Sequence, residues 1–169
     1  MRNCWAVVAV AGFTTLAVMI DAPSVRGAAD NPFGDPNAEP APFNPQMSAL
    51  MGMLIQPRHA KLWLAGQAEN WPLASYVLKE LRQGLLVVSR AVPRWKGLPV
   101  PELVDAAISR PITLLDVAIK LRSPKQFDEA YDQLTAGCNA CHATTDNSFI
   151  VIKTPDASSF PNQDFQPKR

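Results

Sequence analysis

Sixteen prolines in a chain of 169 residues would break almost any long element, yet here they cluster where helices begin. Proline has no backbone N–H and a fixed φ, so it is tolerated in the first helical turn and disruptive further in. Pro45 follows Asn44, Pro72 stands two residues after Asn70, and Pro124 follows Ser123. In each case a side chain able to cap the helix precedes the proline. These signals divide the chain into four apolar segments with helical spacing. The first is 46–67, with Gly66 as its expected end. The second is 71–92. A turn, "PRWKGLP", covers 93–99. The third, 101–122, opens on Pro101, and the fourth is 124–144. Leu114, Leu115, Ala118 and Leu121, then Phe127, Tyr131 and Leu134, recur three to four residues apart, as a buried helical face requires. Pro57 either kinks the first segment or splits it in two, and Pro111 predicts a kink in the third. No β-hairpin signal and no internal repeat competes with this pattern. The expected fold is all-α: an antiparallel up-down four-helix bundle, since short connections make sequential helices antiparallel neighbours.

The two ends differ from this middle. Residues 5–20, "WAVVAVAGFTTLAVMI", carry no charge. The run is shorter than the roughly 20 residues a spanning helix needs. It follows Arg2 and precedes Gly27 and Ala29, which suit the small positions of a cleavage site. Residues 1–29 therefore read as a signal peptide that takes Cys4 with it. Residues 30–44, "DNPFGDPNAEPAPFN", form a flexible Pro-rich leader. Cleavage before Asp30 leaves 14 basic and 14 acidic residues. No basic stripe suggests nucleic acid, and no second apolar run suggests a membrane span. The expected location is periplasmic and oxidising. Residues 45–169 are the folded domain. Beyond 144 the chain turns irregular, but it still holds Phe149, Ile150, Val151, Ile152, Phe160 and Phe165. A disordered tail would carry few such residues, so it reads as a strap packed over the bundle.

The chain has three cysteines and two histidines, and two of the cysteines and one histidine fall in "CNACH". C-x-x-C-H is the attachment pattern for haem c. Two thiols three residues apart each add to one porphyrin vinyl group, and the next imidazole reaches the iron. Cys138 and Cys141 are thus the expected thioether residues and His142 the proximal ligand of one covalent haem c. Three other readings use the same residues. A zinc ion wants four ligands, here Cys138, Cys141, His142 and distant His59, but adjacent Cys and His hardly point at one ion. A C-x-x-C redox centre normally accompanies a βαβ pattern. A plain disulfide would also survive export.

A four-helix bundle with C-x-x-C-H on its last helix resembles the class II, cytochrome c′-like, c-type cytochromes. "RHAKLWLAGQAENWPLASY" (58–76) and "FPNQDF" (160–165) also resemble segments of small exported haem proteins distantly related to that class. The resemblance covers about 45–165. The chain departs from the class in continuing for 27 residues past His142. The resemblance implies that the sixth iron position faces the first helix. There His59 is the first expectation, Met53 the second and Met51 the third, ahead of an open site. Met47 lies on the same segment. Arg58, Lys61 and Arg122 are candidate partners of the haem propionates. Trp63, Trp71, Tyr76 and Tyr131 are candidate pocket aromatics. The class also implies pairing of two copies through their first helices, that is, a homodimer.

The expected function is single-electron transfer between periplasmic redox partner proteins. The alternatives are a five-coordinate gas-binding or sensing module for nitric oxide or carbon monoxide, and a haem subunit of a larger oxidoreductase. Two histidines leave no spare general base once one or both bind iron, so no enzyme activity is expected.

Overall fold

Four rods begin where proline or a capping side chain permits, and a computed structural model describes them over residues 45–168. The expected signal peptide (1–29), the leader (30–44) and its last residue, Asn44, lie outside the described residues. Helix α1 (Met47–Leu50), a π-helical stretch (Met51–Ile55) and α2 (Gln56–Gln67) follow one another without a break. Gln46 stands before α1 in extended conformation, so the rod starts two residues after Pro45. Pro57 neither splits this rod nor ends it. It has no N–H for the carbonyl of Met53 and its ring crowds that carbonyl. The chain answers by widening the preceding turn into the π form.

Asn70 caps α3 (Trp71–Ala91), its Oδ1 accepting from the Leu73 N–H at 3.3 Å. Residues 93–99 hold more than the expected turn. β1 (Arg94–Trp95) and β2 (Leu98–Pro99) pair antiparallel, with Lys96 at φ 48° and Gly97 at φ 82° between them. Positive φ at both central residues marks the primed turn that matches strand twist. Helix α4 (Val100–Leu121) continues as α-helix through Pro111. Helix α5 (Pro124–Thr144) begins at Pro124 with the Ser123 hydroxyl accepting from the Gln126 N–H at 3.5 Å.

Three helix ends share one device. Glu69, Arg122 and Asp146 adopt left-handed φ of 52°, 51° and 55°. Each is followed by an N–H that reaches back five residues: Asn70 to Ala65 O at 2.9 Å, Ser123 to Ala118 O at 3.0 Å and Asn147 to His142 O at 2.8 Å. These are Schellman closures. Gly66 is not the end of α2. It is a point of close approach, because a Cβ there would sit 2.1 Å from the Phe127 ring.

Helix α5 packs along α4, α3 packs on both α2 and α4, and α2 meets α5. The shared core includes Leu62, Leu81, Leu115, Phe127, Tyr131 and Leu134, all with almost no exposure. Helices α4 and α5 approach closely at Gly137, where a Cβ would lie 2.2 Å from the Ala107 carbonyl oxygen. No helix among the described residues is long and apolar enough to cross a membrane.

Candidate functional site

Cys138, Cys141 and His142 occupy the last two turns of α5. At 100° per residue, positions i, i+3 and i+4 share one face of a helix. All three side chains line one cavity of about 290 Å³. Its other walls are mostly apolar. The first rod gives Met47, Met51, Gly52 and Ile55, and α4 gives Val100, Leu103, Val104 and Ile108. Trp95 of the hairpin and Leu85 of α3 complete that side. The fourth wall belongs to the C-terminal tail, through Ile150 and Ile152. So the tail is a strap, as expected, and it closes over the motif.

The strap is held by polar bonds from the motif itself. His142 Nδ1 lies 2.8 Å from Ile150 O. A carbonyl only accepts, so Nδ1 carries a proton, and in the neutral ring the lone pair is then on Nε2. Asn139, between the two cysteines, holds Ile152 from both sides. Its Oδ1 accepts from the Ile152 N–H and its Nδ2 donates to Ile152 O, each at 2.8 Å. At the end of α5, Lys96 Nζ donates to Thr145 O at 2.8 Å and Asp146 O at 3.3 Å. A cation is favoured there, where helix carbonyls lack partners. Farther on, the tail docks at the opposite end of α5. Phe165 is buried, its carbonyl accepts from Asn70 Nδ2 at 3.0 Å, and Lys61 Nζ sits 4.7 Å from the centre of the Phe160 ring.

Burial raises the Cys138 thiol to about 11, with nearby Cys141 adding to the effect. Burial also raises Cys141. Both residues are therefore neutral thiols near pH 7, and each is unpaired. Among the described residues no three His, Cys, Asp or Glu side chains converge as a metal cluster would. A zinc site needs such convergence. Haem does not, since one axial imidazole and two thioethers suffice.

The residues expected on the far side of the iron separate clearly. His59 reaches the cavity wall but is 5% exposed and has both ring nitrogens engaged. The Thr135 hydroxyl donates to Tyr131 O at 3.0 Å, so it accepts from His59 Nε2, also 3.0 Å away. The Tyr131 hydroxyl lies 2.9 Å from His59 Nδ1 and 3.0 Å from His59 O and shares its one proton between these two acceptors. Burial lowers His59 to about 4, in keeping with a neutral ring whose Nδ1 lone pair is taken. Met53 is 71% exposed and does not line the cavity. Met51 and Met47 both do.

None of Arg58, Lys61 and Arg122 lines the cavity. Arg58 Nη1 donates to Leu54 O at 2.7 Å, and its Nη2 lies 3.8 Å from Glu80. Lys61 lies over Phe160. Arg122 follows α4 at the end remote from the motif. Trp63, Trp71 and Tyr131 pack with Phe127 in the core instead of lining the cavity, and Tyr76 is exposed.

Sequence reading missed Asn139, Lys96, Trp95, Ile150 and Ile152 as parts of the site. A signal existed for the last two. In "FIVI" Phe149 and Val151 are 79% and 73% exposed while Ile150 and Ile152 face the cavity, the alternation of an extended half-buried segment. Nothing local marks Asn139. Compared with known proteins, the chain matches no family model, no curated protein and no solved structure.

Proposed function

We propose that this protein is an exported, periplasmic c-type cytochrome with one covalently attached haem. In this reading its rods form an up-down bundle with the haem on the last helix, and it carries single electrons between redox partner proteins. One observation carries the proposal. The three side chains of C-x-x-C-H line a single apolar cavity, with the His142 lone pair left on Nε2 by the bond from Nδ1 to Ile150 O.

The residues fit the group. Cys138 and Cys141 would hold it as thioethers and His142 would be its axial ligand. Bound there, haem supplies iron that changes by one electron between ferric and ferrous. The chain's own part is positional. Helix α5 fixes the spacing of thiols and imidazole. Val104, Ile108, Ile55 and Ile152 exclude water, and a low-dielectric surround is one of the levers on a haem potential. The Ile150 carbonyl holds the ring proton on Nδ1 and makes the imidazole a stronger donor.

For the sixth position the geometry supports Met51 over His59 and Met53. Met51 borders the cavity from the π-helical turn. His59 would have to break its bond with Tyr131 to free a lone pair. Stretches of π-helix often occur at functional sites. A second reading, a gas-binding module with an open sixth position, rests on that same engagement of His59.

The test is expression with the haem-attachment machinery. Mass spectrometry of the denatured protein is expected to show one covalent haem, lost in a Cys138→Ala, Cys141→Ala double variant. Wild type without covalent haem sinks the proposal. Ferrous spectra with and without carbon monoxide then decide between the two readings. An unreactive, low-spin iron that becomes reactive in Met51→Ala supports electron transfer, and a reactive wild type supports the gas module.

A further inference from the structure

The tail and the motif are joined at two places, and the two differ in kind. At Ile150 the motif holds only the carbonyl, through His142 Nδ1 at 2.8 Å. One bond to one ring does not fix a strap, because the imidazole turns about its own side-chain torsions. At Ile152 both backbone groups are held by one side chain, Asn139, at 2.8 Å each. An amide side chain that pairs with both the N–H and the C=O of one residue closes a ring. It fixes the position and the orientation of that backbone, as the neighbouring strand of a sheet would.

One residue, Val151, separates the held carbonyl of Ile150 from the held peptide of Ile152. The intervening segment cannot drift far, since each residue spans at most about 3.5 Å. On the other side, Ile150 N–H donates to Asn147 O at 2.9 Å and Asn147 N–H to His142 O at 2.8 Å. The carbonyl facing His142 is therefore held between a Schellman closure and the Asn139 pair.

Apart from the cavity contacts of Ile150 and Ile152, little apolar surface holds the segment in their place. Phe149 and Val151 are exposed, and Ile150 is 46% exposed. A short, partly exposed segment with few buried contacts opens easily unless it is tied. We infer that Asn139 is a positioning residue: by latching Ile152 it keeps Ile150 O on His142 Nδ1, and so fixes the tautomer and the direction of the imidazole that C-x-x-C-H presents. Asn139 touches neither the ring nor, in the haem reading, the iron. It acts through the strap. Its consequence for iron rests on the proposed function, whereas the latch itself and the ring proton do not.

The test is NMR on the full chain as exported, wild type against Asn139→Ala. In wild type the Ile152 amide is expected to be protected from exchange, and the His142 ring to show a proton on Nδ1 in slow exchange. In Asn139→Ala, exchange at Ile152 is expected to rise at least about tenfold and the Nδ1 proton to enter fast exchange. Ile152→Pro removes the N–H half of the same latch from the strap side with Asn139 intact, and should move the ring proton toward fast exchange as well. A structural role for Asn139 within α5 alone would not make the two variants agree. A ring proton that stays slow when Ile152 exchanges freely overturns the proposal, as does fast exchange at Nδ1 in wild type. Absence of haem from wild type sinks the cytochrome reading only, because both signals exist in the haem-free chain.

Discussion

The two histidines sit on two facing helices and make opposite use of the same side chain. His59 gives both nitrogens to protein partners, Thr135 and Tyr131, and is buried with its ring 4.7 Å from the Tyr131 ring. His142 gives one nitrogen to Ile150 O and lines the cavity, with the other nitrogen not bonded to any of the described residues. A ring becomes an available ligand when one nitrogen is pinned and the other is left alone. Pinned at both, it is a core hydrogen-bonding unit. Distance in sequence and helical face did not separate the two, and the partners do.

The largest expected effect that tests this contrast is on acid stability. Burial holds His59 at about 4 against the usual 6.5, so on acidification the unfolded chain takes up that proton before the folded one does. The stability tied to the neutral ring is complete above about pH 6.5 and is lost as pH falls toward 4. A shift of this size corresponds to about 3 kcal/mol. Denaturant unfolding of wild type against His59→Gln, measured from pH 7 to pH 4, is expected to show a steeper acid loss for wild type. Parallel curves would mean that His59 is charged or exposed in the folded protein, and the contrast with His142 would fail.

Sequence pattern made the helices legible because proline, caps and apolar spacing are local signals. Asn70 and Ser123 stand where the structure puts caps. Helix ends were harder to read. Glu69, Arg122 and Asp146 take left-handed conformations that composition does not advertise, since glycine is the usual occupant. The hairpin at 94–99 was hidden for a related reason: only Gly97 of its two left-handed residues is a glycine. At the site, Cys138, Cys141 and His142 were legible as a motif, because their chemistry dictates their spacing. The wall opposite was not. Which of Met47, Met51 and Met53 turns inward depends on the π-helical turn ahead of Pro57, and a widened turn shifts every later side chain around the rod. Asn139 is the extreme case, since its partner, Ile152, lies 13 residues away on an irregular tail.

Two glycines carry the comparison from the histidines to their surroundings. Gly66, on the helix that carries His59, lies against the Phe127 ring, and Gly137 lies against the Ala107 carbonyl one residue before Cys138. Alanine at either position overpacks a tight contact, at a cost of about 1–3 kcal/mol. The consequences should differ in place. Gly66→Ala is expected to lower the melting temperature and leave the cavity end unchanged. Gly137→Ala presses on backbone, which cannot swing aside as a ring can, so α5 must shift at the motif. Its melting temperature should fall, and near-ultraviolet and fluorescence signals from Trp95 on the cavity wall should change as well. Equal Trp95 signals in the two variants would show that the cavity end is not the part held by the α4–α5 contact.

The smallest expected effect concerns the ends of the two helices that carry the histidines. Glu69 closes α2 and Asp146 closes α5, both at positive φ. A side chain with a Cβ resists that conformation, and glycine does not. Glu69→Gly is therefore expected to raise stability by about 0.5 kcal/mol. Asp146→Gly should gain less, because aspartate tolerates the left-handed region better than glutamate. The Lys96 contacts are to the Thr145 and Asp146 carbonyls, so the second substitution leaves them in place. If Asp146→Gly instead destabilises the protein, its carboxylate holds the end of α5 beneath the strap. The His142 end would then depend on side chains at every step from α5 to Ile152, where the His59 end depends on packing.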